Sequence, residues 1–373
     1  MVELADIFRV HGPAYRAQYA QHMLPSHRRA MRDIEQCRTP ALGGSLYGCV
    51  DHPEVLLYSY HSCGNRTCPK CGNDDTNAWL EKQRGLLLPV DYFLVTFTLP
   101  AECREVARSH QAAVYGAFFR TSAGVMIEVA REPRHLGGLI GMVGVLQTWR
   151  RDLGYHVHIH YVVPGGALAS DGTRWLPQRY GQWLLPEPLL AARFKERFRK
   201  ELRRLGLLDQ VDPSVWTRHK KWVVDCIPVG NGESALKYVA PYVHRVAISN
   251  SRIEQLEDGN VTYRFKDRDT GQWRHRTLPA EKFIACFLQH VLPKGFVKVR
   301  YYGFLTAKKR QALLPRIRTI LGANGLASHI VPSQTSPRQP EEARRHCCPH
   351  CGKVLVLRQR LPRAWPEERA PPP

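Results

Sequence analysis

The chain has 373 residues, 43% of them hydrophobic, and carries 54 Lys and Arg against 33 Asp and Glu for a formal charge of +21. That apolar share, with 8 Trp, 15 Tyr and 12 Phe, excludes a mainly disordered chain, because enough surface can be buried to offset the entropy of ordering. The positive excess runs from the N-terminus to the tail and implies a polyanionic partner, of which a nucleic-acid backbone is the commonest and an anionic membrane surface the main competitor.

The longest apolar stretches, 86–90, 93–99 and 139–146, fall well short of the ~20 residues of a membrane helix. The N-terminus MVELADIFRV carries acids and no signal-peptide pattern, so a cytoplasmic address without membrane contact is expected. Eleven cysteines, an odd number with several in CxxC-type clusters, favour metal binding over a disulfide framework.

Three units are expected in chain order: 1–88, 89–310 and a basic, partly disordered tail, 311–373. The first is rich in Cys, His, Gly and Tyr with little periodicity, which suits a small domain stapled by metal. Cys49-x2-His52 and Cys68-x2-Cys71, fifteen residues apart, have the paired spacing of a structural zinc ribbon. Cys63 lies between the pairs and Cys37 before them, so Cys63 could replace His52 or share a second ion with Cys37. Four of Cys49, His52, Cys63, Cys68 and Cys71 are therefore expected to hold zinc.

From Asp91 the pattern changes. YFLVTFTLP reads as a buried strand closed by Pro100, 102–132 as helix, 138–149 as strand, and 155–163 as a second strand after the turn RRDLG. Residues 187–205 make a basic amphipathic helix whose charges suit either solvent or DNA, 221–228 a further strand, and 233–246 a helix. This order implies an antiparallel α+β sheet with helices on one face. Further on, basic residues of 264–276 and 294–300 are interleaved with Tyr263, Phe265, Trp273, Phe296, Tyr301 and Tyr302. Such mixing fits either single-strand tracking or a hairpin with a charged outer face. Residues 329–345 read as a linker, RAPPP as a disordered end, and Cys348-x2-Cys351 as half a metal site, to be completed by His346, Cys347 or His350 or by another chain.

His156-Val157-His158-Ile159-His160 is the most informative segment. On a strand the three imidazoles share one face while Val157 and Ile159 point to the other, an arrangement that suits a divalent metal. Zinc hydrolases also use HxH pairs. Some eighty residues later, in SALKYVAPYVHRVAIS, Tyr238 and Tyr242 stand four apart and share a helix face. A tyrosine oxygen is a competent nucleophile for phosphoryl transfer, and two would allow two successive transfers; a pair of packed aromatic residues is the plainer alternative. Pro241 between them favours a helix beginning near Ala240, with Tyr238 before it.

HIHYVVPGG and YVAPYVHRVAIS resemble the two signature motifs of HUH tyrosine transposases of the IS-ninety-one type, and more distantly those of rolling-circle replication initiators and relaxases. EQCRTPALGG, SCGNRTCPKC and HVLPKGFVKVRYYG extend the resemblance over about 37–303. It implies a five-stranded antiparallel sheet preceded by a zinc-binding domain, with His158 and His160 on a central strand and Tyr238 and Tyr242 as nucleophiles. His156 occupies the place of an upstream histidine and is the obvious third ligand, with a Glu, Gln or His from elsewhere, Glu233 among them, as the alternative. The chain departs from the pattern at Pro241, where relatives carry Arg or Lys, and at His52, where they carry Cys.

The implied activity is nicking and rejoining of single-stranded DNA at an element end and target, through a 5′-phosphotyrosine and with Mg2+ or Mn2+ as catalytic ion. A rolling-circle replication initiator or relaxase would use the same chemistry. A non-catalytic zinc-dependent DNA-binding protein is the rival of another class.

Overall fold

The computed structural model describes residues 2–71, 79–179, 181–244, 247–267, 269–323 and 346–363. In chain order its strands are β1 (Gly44–Gly48), β2 (Leu56–Tyr60), β3 (Asp91–Thr98), β4 (Gly138–Leu139), β5 (Gly141–Trp149), β6 (Tyr155–Pro164), β7 (Gly166–Ala169), β8 (Trp175–Pro177), β9 (Val223–Asn231), β10 (Ile253–Glu257), β11 (Asn260–Lys266), β12 (Trp273–Pro279), β13 (Val299–Gly303) and β14 (Val356–Leu361). Five of them form the main sheet in the order β13-β5-β6-β3-β9, and every neighbouring pair is antiparallel. The expected α+β architecture with a five-stranded antiparallel sheet is what the chain builds. The histidine strand β6 lies at its centre.

The fifth strand of the sheet, β13, comes from HVLPKGFVKVRYYG, a motif of the resemblance that is not among the strands expected from the sequence. The last glycine of that motif, Gly303, has φ +62°, and a Cβ there would lie 1.6 Å from the Ile140 carbonyl oxygen. Only glycine fits where β13 closes against β5.

The two sheet faces carry different layers. Val157, Ile159, Tyr161 and Val163 of β6 join Phe93, Val95 and Phe97 of β3 in the largest core cluster, under the helices Gln111–Arg131 and Glu187–Arg204. The opposite face packs Leu94, Val145 and Val162 against Ala235, Val239 and Val243 of the helix Gly232–His244. Helices thus cover both faces, a correction to the one-sided layer expected from element order. Alternation along each strand buries both sides: His158 and His160 share parity with Val162, and Ile159 with Tyr161.

The N-terminal region is also more regular than its composition suggested. Two helices, Leu4–Tyr19 and Pro25–Gln36, place Leu4, Ile7, Phe8, Met31 and Ile34 against Phe283, Ile284 and Phe287 of the helix Ala280–Leu288. This region has an apolar core of its own making, shared with a distant helix, in addition to its cysteines. The stretch 311–373, read as a tail, contains the end of the helix Ala307–Ala323 and the strand β14, which pairs with β1 in a small sheet of order β14-β1-β2. The linker reading of 329–345 and the disordered end fall outside the described residues. No described helix is long and apolar enough to cross a membrane.

Candidate active site and metal centres

Thr96 of β3 and Val145 of β5 flank His160 across the sheet, and Thr98 and Gln147 flank His158. All belong to the face on which the helix Gly232–His244 packs. His160 is 7% exposed. Its Nδ1 meets the Thr96 hydroxyl at 2.9 Å and its Nε2 the Gln147 Oε1 at 3.3 Å, while Gln147 Nε2 donates to the Trp149 carbonyl at 2.8 Å. Burial lowers the His160 pKa to about 4, so the ring is neutral at pH 7, the state a metal ligand needs.

The rings of His158 and His160 lie 4.6 Å apart between centroids, at 84° to one another. His156 follows at 5.1 Å from His158. The three do not converge on one point: among the described residues, the groups of three or more His, Cys, Asp or Glu whose ligand atoms all lie within 4.8 Å of one another are two cysteine clusters, and the histidine strand is not one of them. Strand geometry accounts for this spacing, since four residues of strand span about 13 Å along the backbone.

On its Nε2 side His160 meets Gln147 Oε1. An octahedral ion with bonds of about 2.1 Å holds neighbouring ligand atoms about 3 Å apart, and the observed 3.3 Å from Nε2 to Oε1 fits that. Thr96, bonded to the other ring nitrogen, fixes the ring in place. The sequence allowed a Gln from elsewhere in the chain as a ligand without singling out Gln147, although a lone amide after the apolar run of 139–146 was a usable signal. Glu233, weighed as a ligand, instead pairs with Arg84 at 3.2 Å.

Both tyrosines lie within the helix Gly232–His244, not across its start as Pro241 had suggested. Its beginning is fixed earlier, where the Asn231 side chain accepts a hydrogen bond from the Ser234 N–H at 3.0 Å, an N-cap that outweighs the proline. Tyr238 is 43% exposed beside the buried stripe of Ala235, Val239 and Val243. The Tyr242 side chain lies outside the described residues.

The basic helix resolves toward packing. Arg193 reaches Glu128 at 3.1 Å and Arg204 reaches Glu201 at 2.8 Å, so these cations hold acids of their own layer. The hairpin β10–β12 is mixed: Arg274 pairs with Asp267 at 3.3 Å, while Trp273 stays 54% exposed with the Arg264 guanidinium 5.1 Å from its ring centroid.

The five residues from which four zinc ligands were expected fall into two clusters. Cys63, Cys68 and Cys71 come together with Cys37, whereas Cys49 and His52 meet Cys348 and Cys351. In the first cluster Cys37 and Cys63 lie 3.5 and 3.7 Å from Cys71 between sulfurs. A tetrahedral zinc with Zn–S bonds of about 2.3 Å sets its sulfurs about 3.8 Å apart, and a disulfide would need about 2 Å. Between Cys63 and Cys68, Arg66 donates to the carbonyls of Pro293 at 2.8 Å and Phe296 at 2.7 Å. The knuckle thereby clamps the loop that leads into β13.

Comparison with known proteins agrees with this layout. Residues 7–99 match the IS91 model described as a transposase zinc-binding domain, and residues 141–312 match a family described as "Putative transposase". "Putative transposase y4qJ" of Sinorhizobium fredii is 39% identical over 360 residues, covering 92% of this chain and 88% of its own. The chain belongs to the IS91 family of transposases. "Transposase for insertion sequence element IS801" of Pseudomonas savastanoi pv. phaseolicola is 27% identical over 321 residues, covering 77% of this chain and 74% of its own. No solved structure matches. Membership brings zinc at the N-terminal domain and DNA as the partner, and the cysteine clusters supply suitable zinc ligands.

A pH dependence follows from the buried imidazoles. Burial lowers both His160 and His290 to about 4 from an ordinary 6.5; His290 sits between the Thr148 hydroxyl and the Leu153 carbonyl, each at 3.2 Å. The unfolded chain binds protons first, so this stabilisation is complete above pH 6.5 and is lost as pH falls toward 4. Urea midpoints should therefore drop over that window, and less steeply in His290→Gln; equal slopes in variant and parent would contradict the assignment.

Proposed function

We propose that this transposase nicks and rejoins single-stranded DNA, with Tyr242 or Tyr238 as nucleophile. Two supports carry the reading: His158, His160 and Gln147 occupy the same sheet face as the helix that holds both tyrosines, and the sequence resembles the HUH pattern at both motifs. In this reading 89–310 is the nuclease unit. His158, His160 and the Gln147 carbonyl oxygen would hold the ion, in place of the all-histidine set. When bound there, Mg2+ or Mn2+ would polarise the scissile phosphate as a Lewis acid.

The chain's own groups do the rest. The tyrosine oxygen attacks phosphorus in line, a Tyr–O–P bond forms, and the P–O3′ bond breaks. The phenolic proton is released and the departing 3′-oxygen takes one up. The phosphotyrosine keeps an ester of similar energy, so a 3′-OH of target DNA can reverse the step without an external energy source. The second tyrosine would serve the second strand transfer. Cations along the chain hold the backbone, and Trp273 beneath Arg264 offers an exposed ring for base stacking.

The test uses element-end oligonucleotides labelled at either end and incubated with the protein and Mg2+ or Mn2+. The 3′-labelled fragment should travel with denatured protein while the 5′-labelled fragment is released with a 3′-OH. Release of both labels as free DNA would mean hydrolysis and overturn the proposal.

A further inference from the structure

We infer that the chain holds a second structural zinc ion at a site built from both ends of the sequence: Cys49 and His52 beside β1, and Cys348 and Cys351 in the turn before β14. These residues are 296 positions apart at their closest observed pair, His52 and Cys348. Their ligand atoms lie within 4.8 Å of one another. Cys49 Sγ is 3.6 Å from Cys351 Sγ and 3.7 Å from His52 Nδ1, and Cys348 Sγ is 3.7 Å from the same nitrogen. Those separations match the edges of a tetrahedron around zinc and are far too long for disulfides. Three thiolates and an imidazole select a soft or borderline ion over Mg2+ or Ca2+.

The surroundings show why an ion is needed. The small sheet β14-β1-β2 is nearly coreless: its cluster of buried apolar residues is Cys49, Cys348 and Leu355, and Leu56, Tyr58 and Leu357 on its strands are about half exposed, at 51%, 54% and 47%. A sheet with so little burial is marginal without a staple. Both halves present their ligands from tight turns. On one side the Cys49 N–H donates to the Val55 carbonyl at 3.2 Å; on the other the Cys348 N–H donates to the Lys353 carbonyl at 2.8 Å and Gly352 turns back at φ +71°. The halves are already docked, since Lys353 pairs with Asp51 at 2.6 Å and Arg358 donates to the Cys49 carbonyl at 2.7 Å.

The C-terminal hairpin is thus the missing half of the N-terminal metal domain. It lies beyond both matched stretches, 7–99 and 141–312. An ion there closes most of the chain into one loop, which restricts the unfolded state far more than a short-range site does. The inference is independent of the nicking chemistry.

Metal analysis of the full-length protein tests it. The parent should hold two zinc ions, and X-ray absorption should show seven sulfurs and one imidazole nitrogen shared between them, the donor set of the two clusters. Cys348→Ser with Cys351→Ser should hold one zinc, with the remaining site all-sulfur. Cys63→Ser with Cys71→Ser should also hold one, with the nitrogen retained. A parent with a single all-sulfur zinc, or a Cys348/Cys351 variant that still holds two, would overturn the inference. The absorption measurement on the parent decides even if a variant fails to fold.

Discussion

Replacing both Tyr238 and Tyr242 with Phe should abolish covalent capture of DNA and lower strand cleavage by at least about three orders of magnitude, on the order of 4 kcal/mol of lost transition-state stabilisation. Each change removes one oxygen and keeps the ring. The helix that carries them is anchored to the sheet by Ala235, Val239 and Val243, so its packing survives. The single variants should differ: Tyr242→Phe is expected to lose first-strand cleavage, and Tyr238→Phe chiefly the later transfer. Mass spectrometry of the trapped adduct checks this assignment. A nucleotide on Tyr238 alone would reverse the order, and undiminished cleavage by the double variant would remove tyrosine from the mechanism.

His158→Ala with His160→Ala should silence cleavage by a comparable factor while leaving DNA affinity and its salt dependence close to those of the parent. In the proposed mechanism binding rests on phosphate contacts by Lys and Arg, of which the chain has 54, and the histidines serve the ion. Gln147→Ala should raise the Mg2+ or Mn2+ concentration needed for half-maximal cleavage by roughly 10- to 100-fold. Excess metal should restore much of its rate, which it cannot do for the histidine pair. Cleavage of an oligonucleotide across a metal titration, alongside binding measured at two salt concentrations, separates the effects. A double histidine variant that nicks at the parental rate would place the active site elsewhere.

Local pattern was enough for much of this protein. The alternation in His156 to His160 set three imidazoles on one face of a strand, and β3, β5, β6 and β9 follow the apolar runs that marked them. The two motifs, by resemblance, pointed to the transposase family. What sequence could not supply were relations between residues far apart. Whether three imidazoles reach one ion depends on strand rise, and the amide beside them, Gln147, comes from the neighbouring strand through β5–β6 register. The start of the tyrosine helix was decided by the Asn231 cap, a local signal overshadowed by Pro241. Zinc-ligand spacing identified the residue types but not their grouping, because the fold brings Cys49 and His52 beside Cys348 and Cys351 from far along the chain. Ligand spacing constrains neighbours along the backbone, whereas a tetrahedral site asks only which four atoms the folded chain brings within about 4 Å, and here that was settled by β14 pairing with β1.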